Sequence, residues 1–222
     1  DLDTEQAVQN LYEQFPYPTK SDLESLKNAY IIDNPVDSYH LYFPESGFRD
    51  DLRILIAGCG TNLTPAFAAS MPNAYVVGID ISLASLEHSQ RAITQLGLTN
   101  CELHQLPIEE VASLGQQFDF VNCHGVLHHM HSPDEGIRAL AQVLAPDGAM
   151  SLMLYALYGR CGIYQIQDLC NRLQLGANES DTIAVRRFLK YLPANHQLSI
   201  VRPDRTQHEP LEEIADMLLH PR

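Results

Sequence analysis

The chain has no tryptophan, and its 222 residues carry only 14 lysines and arginines against 28 aspartates and glutamates. The resulting formal charge of −14 excludes a broad phosphate-binding surface, so nucleic acid is not expected as a partner. There is no run of about 18 apolar residues, so neither a transmembrane helix nor a membrane partner is expected. The opening stretch DLDTEQAVQN is acidic and amphipathic, unlike a secretory signal. The five cysteines are odd in number and lack metal-type pairing. Cys59, Cys101 and Cys123 fall at or near expected strand ends and read as small buried apolar residues, which fits a reducing cytoplasm. With 45% apolar residues, the expectation is one domain with a sizeable core.

The most informative stretch is present rather than absent. Arg53–Asp80 reads RILIAGCGTNLTPAFAASMPNAYVVGID: strand, glycine turn, helix, strand, acid. Arg53–Ala57 is a short apolar run that stops at Gly58-Cys59-Gly60. Thr64 is expected as a helix N-cap with Pro65 at the first helical position, and Met71-Pro72-Asn73 as the stop. A second apolar run, Ala74–Ile79, ends at Asp80, about twenty residues past the glycines, the spacing of a nucleoside-binding βαβ unit. Glycines let a ligand approach bare backbone, and an acid at the second strand tip can accept hydrogen bonds from a ribose diol. The third glycine of a G-x-G-x-x-G pattern would fall at Leu63, which counts against a nicotinamide or flavin cofactor.

Ile54–Asn62 with Gly78-Ile79-Asp80-Ile81-Ser82 resembles motif I and the following acidic position of class I S-adenosylmethionine-dependent methyltransferases. The resemblance continues through Phe118–His129 (FDFVNCHGVLHH) and Ile137–Leu154, covering roughly Asp51 to Tyr155. It implies a Rossmann-like, doubly wound, mostly parallel α/β sheet that binds S-adenosyl-L-methionine and releases S-adenosyl-L-homocysteine. It places Ala57, Gly58, Cys59, Gly60 and Asn62 beside the methionyl part, Asp80 on the ribose, and Ile81, Leu106, Pro107 and Ile108 around the adenine. It also makes His124 and Gly125, at the ligand-facing end of the fourth strand, cofactor-binding residues. Two departures stand out: Ile56 replaces an acid that relatives often carry, and Asn62, expected to keep a left-handed turn, replaces a third motif glycine. With the absence of an adenine-contacting acid after the third strand, they leave open an inactive methyltransferase-like binding module; the Rossmann core leaves open, as a second alternative, an NAD-dependent enzyme, against which Leu63 counts.

Flanking segments complete the reading. Residues 1–50 form an N-terminal arm or lid, with a helix over Thr4–Phe15, a rigid Phe15-Pro16-Tyr17-Pro18 segment and a short helix near Leu23–Ala29. Its tyrosines Tyr12, Tyr17, Tyr39 and Tyr42 offer faces to a sulfonium. Ser82–Leu96 is an amphipathic helix capped by Ser82, stopped by Gly97, with Leu83, Leu86, Ile93 and Leu96 as its apolar stripe. Cys101–Leu106 and Phe118–Cys123 are further strands. Ser132-Pro133-Asp134-Glu135 opens a helix buried through Ile137, Leu140, Ala141 and Leu144, and Pro146-Asp147-Gly148 turns into a fifth strand, Ala149–Tyr155.

His124, His128, His129 and His131 cluster without metal-ligand spacing, so no metal is expected, and His124 is the candidate general base. The core is expected over 51–158. Residues 159–222 read as a helical insertion or cap with helices at Ile163–Leu173, Asp181–Leu192 and Leu211–Leu219, broken at Pro193-Ala194-Asn195 and Arg202-Pro203-Asp204. Leu198–Val201 is the one further strand candidate. The final strand pair of a seven-stranded core is expected to be missing, so the chain reads as a piece of a longer protein. The acceptor is expected to be a small molecule or a protein, and the oligomeric state is left open.

Overall fold

The computed structural model describes residues 2–17, 22–29, 31, 33–201 and 210–220. In chain order the helices are α1 (Leu2–Gln14), α2 (Leu23–Lys27), α3 (Tyr39–Tyr42), α4 (Leu63–Ser70), α5 (Leu83–Leu96), α6 (Pro133–Val143), α7 (Cys161–Arg172), α8 (Glu179–Leu189), α9 (Gln197–Val201) and α10 (Leu211–Leu218). The strands are β1 (Arg53–Ala57), β2 (Tyr75–Asp80), β3 (Cys101–Gln105), β4 (Phe118–His124) and β5 (Leu144–Met153). The chain divides into two units, one of residues 20–154 and one joining 1–19 to 155–222. The first helix of the expected arm therefore belongs with the C-terminal helices, and residues 20–50 belong with the sheet.

All five strands run parallel in the order β3-β2-β1-β4-β5. The apolar runs of β1, β2 and β4 are buried on both faces, as a parallel sheet between helices requires. Side-chain alternation separates two cores. Ile54, Ile56, Val76 and Phe120 pack with Phe67 of α4 and Leu86 of α5. Leu55, Ala57, Val77, Ile79, Val121 and Cys123 pack with Ile108, Val111 and, from α6, Leu140 and Val143. The sheet is thus doubly wound. Its chain order reverses between β1 and β4, and in such sheets ligands settle outside the strand ends at that switch point.

Local chemistry explains most element ends. Ser82 Oγ accepts from the Ser85 N–H (3.1 Å) to cap α5, and Gly97 closes it. Ser132 Oγ accepts from the Glu135 N–H, with Pro133 in the first turn of α6. Other positions depart from the sequence pattern. Helix α4 begins two residues earlier than expected: Asn62 occupies the N-cap position and Thr64 lies inside the helix. Leu83 is exposed, and Ser85, Ser89 and Ala92 fill the buried face of α5 instead. On α6, Ala139 and Val143 take the inward positions and Ala141 is exposed. The Pro146-Asp147-Gly148 turn is an irregularity within β5: Phe118 pairs with Leu144 and Phe120 with Ala149, so the extra residues bulge out of the ladder.

The helical unit has its own core. Ile163, Ile166 and Cys170 of α7 pack with Val185 and Leu189 of α8, Leu198 of α9 and Ile214, Met217 and Leu218 of α10. Leu11 and Phe15 pack against Ala215, and the Tyr12 hydroxyl donates to the buried Asp216 at 2.8 Å, fixing the first helix to the last. Leu198–Val201, weighed as a strand, lies within α9, because Leu198 is claimed by the helical core rather than by a sheet. The Arg202-Pro203-Asp204 break and Pro18 lie outside the described residues. Among the described residues no helix is long and apolar enough to cross a membrane.

Candidate functional site

The turn after β1 is stitched to the end of β2. The N–H groups of Gly58 and Cys59 both donate to the Ile79 carbonyl, at 2.9 and 3.0 Å. Gly58 and Gly60 have φ of 72° and 55°, the left-handed region that glycine enters without strain. At Gly58 a Cβ would also run into Val126, with Cγ1 at 2.9 Å and Cγ2 closer still. Asn62 is not left-handed, correcting that expectation: its φ is −131°, since the two glycines complete the turn before the chain reaches it.

Asp80 closes the turn from the other side. Its Oδ2 accepts from the Gly60 N–H at 2.8 Å, and its Oδ1 accepts from the Ser82 N–H at 2.9 Å. The Ser89 hydroxyl donates to the Gly60 carbonyl at 3.0 Å, anchoring the same peptide to α5. Held by these two N–H groups, the carboxylate stands at the tip of β2, where a nucleoside-binding βαβ unit presents an acid to a ribose diol. Cys59 is fully buried; burial first, and the Asp80 charge second, push its thiol far up, so it packs and does not attack. Ile56 is fully buried between Gly78 and Asn122 and belongs to the core with Phe67. Gly78 lies mid-strand where α4 presses closest: a Cβ would strike Thr64 Oγ1 and stand 3.1 Å from Cys59 Sγ.

Past β3, the Leu106 N–H donates to the Asp80 carbonyl at 3.0 Å, and Gln105 Nε2 donates to the Ile81 carbonyl at 3.1 Å. Pro107 precedes a 3-10 helix over Ile108–Leu114. The Ile108 side chain is buried in the core beneath the sheet, leaving backbone groups as what this residue can offer a ligand.

His124 ends β4, followed by Gly125, whose N–H donates to the Met153 carbonyl at 3.1 Å. Its Nε2 lies 2.8 Å from Ser151 Oγ on β5 and 3.3 Å from Asp33 Oδ2 in the segment before α3. The Tyr42 hydroxyl donates to the other Asp33 oxygen at 3.3 Å, and its ring stands edge-on to Phe120. Burial pulls the His124 pKa below its ordinary value, and Asp33 partly opposes this. Burial, and then the Asp33 carboxylate, raise the Tyr42 phenol against a lowering from Ser151. Sequence reasoning missed Asp33 and Ser151, and no sequence signal marks them: they meet His124 only because β5 pairs beside β4 and the segment before α3 packs against the end of β4. The other expected aromatic faces are placed otherwise. Tyr39 is buried against Phe43 with its hydroxyl donating to the Gly47 carbonyl, and Tyr12 serves the helical unit.

A family model described as a methyltransferase domain matches residues 48–188 of this chain. The chain belongs to that family. Its parallel sheet, glycine turn and strand-end acid make it a class I, S-adenosylmethionine-dependent methyltransferase domain, and family membership sets aside the NAD-dependent reading. Similar proteins include uncharacterized protein syc1184_c of Synechococcus sp., 34% identical over 97% of this chain and 54% of that protein. The ubiquinone biosynthesis O-methyltransferase of Neisseria meningitidis is 30% identical over 43% of this chain and 41% of that enzyme. The structure of PKMT2 from Rickettsia typhi in complex with AdoHcy shares the fold, with a TM-score of 0.64 at 18% identity over 91% of this chain and 41% of that one. The methyltransferase domain thus spans about half the length, or less, of these relatives.

Proposed function

We propose that the sheet unit holds S-adenosyl-L-methionine at the β1–β4 switch point and transfers its methyl group to a small-molecule or protein acceptor. The observation that carries this reading is the Asp80 carboxylate, fixed at the tip of β2 by the Gly60 and Ser82 N–H groups, the place where a nucleoside-binding unit presents an acid to ribose. Gly58 and Gly60 pass bare backbone beside the methionyl part, with Ala57, Cys59 and Asn62 shaping the turn. Ile81, Leu106, Pro107 and Ile108 border the adenine, and Gly125 lets the chain leave β4 beside the acceptor. When bound, the cofactor supplies a methyl group on a sulfonium, which leaves its bonding electrons on sulfur.

His124 takes the proton that the acceptor must lose, since its lowered pKa keeps the imidazole neutral near pH 7. Net acidity argues for an acceptor other than nucleic acid, and five free cysteines for a reducing compartment such as the cytoplasm. The deciding experiment is calorimetric titration with S-adenosylhomocysteine, with NAD as control. Binding of the thioether alone is expected. A folded sample that binds neither would turn the reading to an inactive module.

A further inference from the structure

The segment before α3, the tyrosine on α3 and the tips of β4 and β5 bring Asp33, Tyr42, His124 and Ser151 together. Their hydrogens can be arranged consistently in one direction. An ionised carboxylate only accepts, so the Tyr42 hydroxyl must be the donor to Asp33 Oδ1. The Ser151 hydroxyl, 2.8 Å from His124 Nε2, can donate or accept there. Asp33 Oδ2, 3.3 Å from the same nitrogen, can only accept. The carboxylate beside Nε2 therefore places the ring hydrogen on Nε2 and the lone pair on Nδ1, with the serine oxygen accepting. The reverse tautomer would set two lone pairs against each other at Asp33.

We propose that Asp33 is a positioning residue that, through its carboxylate beside the ring, holds His124 with Nε2–H and leaves Nδ1 as the proton acceptor for a hydroxyl-bearing methyl acceptor. This rests on His124 acting as the base of methyl transfer. As the acceptor oxygen forms its bond to the methyl carbon, its proton passes to Nδ1. The positive charge that appears on the ring then lies against the Asp33 carboxylate, with no further group required. A hydroxyl is a poor nucleophile until its proton leaves, so a neutral Nδ1 beside its oxygen serves a hydroxyl acceptor directly. Among the described residues the titratable group beside the His124 ring is Asp33, whose other oxygen accepts from the Tyr42 hydroxyl.

Long-range proton–nitrogen NMR on the histidine-labelled full chain, with His124 assigned by loss of its signals in His124→Gln, tests this without turnover. The wild type is expected to show a protonated Nε2 and an unprotonated Nδ1. Asp33→Asn should lower the His124 titration midpoint by about one pH unit and shift the ring toward Nδ1–H, its amide donating to Nε2. Asp33→Glu should restore both, and Asp33→Ser serves if the asparagine variant does not fold. A wild-type ring protonated at Nδ1, or a midpoint and tautomer indifferent to residue 33, would overturn the assignment. Calorimetry with S-adenosylhomocysteine on the same samples separates the two levels: unchanged affinity in Asp33→Asn is expected, whereas no binding by the wild type would defeat the methyltransferase reading itself. Release of S-adenosylhomocysteine with a panel of phenols, and none with primary amines, is expected of the acceptor class; the opposite result would overturn it.

Discussion

The Gly60 N–H donates to Asp80 Oδ2 at 2.8 Å, joining the glycine turn after β1 to the tip of β2. The acid proposed to hold ribose thus also holds the turn proposed to meet the methionyl part, so one side chain would serve both ends of the ligand. Asp80→Ala should weaken S-adenosylhomocysteine binding by about 1.5–3 kcal/mol, the range for hydrogen bonds to a charged group. Calorimetry checks this, and an unchanged affinity would place the ribose elsewhere.

At Gly58 the strain is steric as well as conformational, because φ is 72° and Val126 fills the space a Cβ would take. Gly58→Ala should cost about 1–3 kcal/mol of stability, read from the denaturant midpoint. Adding Val126→Ala should recover the steric part and leave the backbone part. Full recovery would show that φ was not constraining.

Restoring the acid that relatives carry before the first glycine should damage this protein. Ile56 is fully buried in the core with Phe67 and Phe120, so Ile56→Asp places an uncompensated charge there. A loss of about 3–5 kcal/mol is expected in chemical denaturation. A stable variant with tighter S-adenosylhomocysteine binding would mean that residue 56 reaches the ligand after all.

The pH dependence has a definite sign. Because burial lowers the His124 pKa in the folded state, the unfolded chain binds the proton more readily. The contribution to stability is therefore present above the unfolded value of about 6.5 and is lost as the pH falls below it toward the folded pKa. His124→Gln should flatten that part of the stability profile. An unchanged slope between about pH 6.5 and the lowered value would assign the effect to another group.

What the sequence made legible was local. The β1 run, the glycine pair, the Ser82 and Ser132 caps and the acid at the end of β2 each depend on neighbours a few positions away, and each stands where the pattern put it. What it hid was set by distant chain. Asn62 need not be left-handed because Gly58 and Gly60 finish the turn first. Leu198–Val201 looked like a strand until α7 and α10 claimed Leu198. The partners of His124 come from an irregular segment and from a strand whose register is shifted by a bulge, and no spacing rule links Asp33 to Ser151.

The clearance at Gly78 has a bearing on how such domains are recognised. In dinucleotide-binding turns a third glycine on the helix side lets helix and strand come close. Here that position is Leu63, and the missing side chain lies on the strand side instead, under Thr64 and Cys59. A side chain at residue 78 would meet Leu103 of β3 as well as Thr64 of α4 and Cys59 of the turn. The close approach that a turn glycine would serve is thus met in this chain by a glycine inside the sheet.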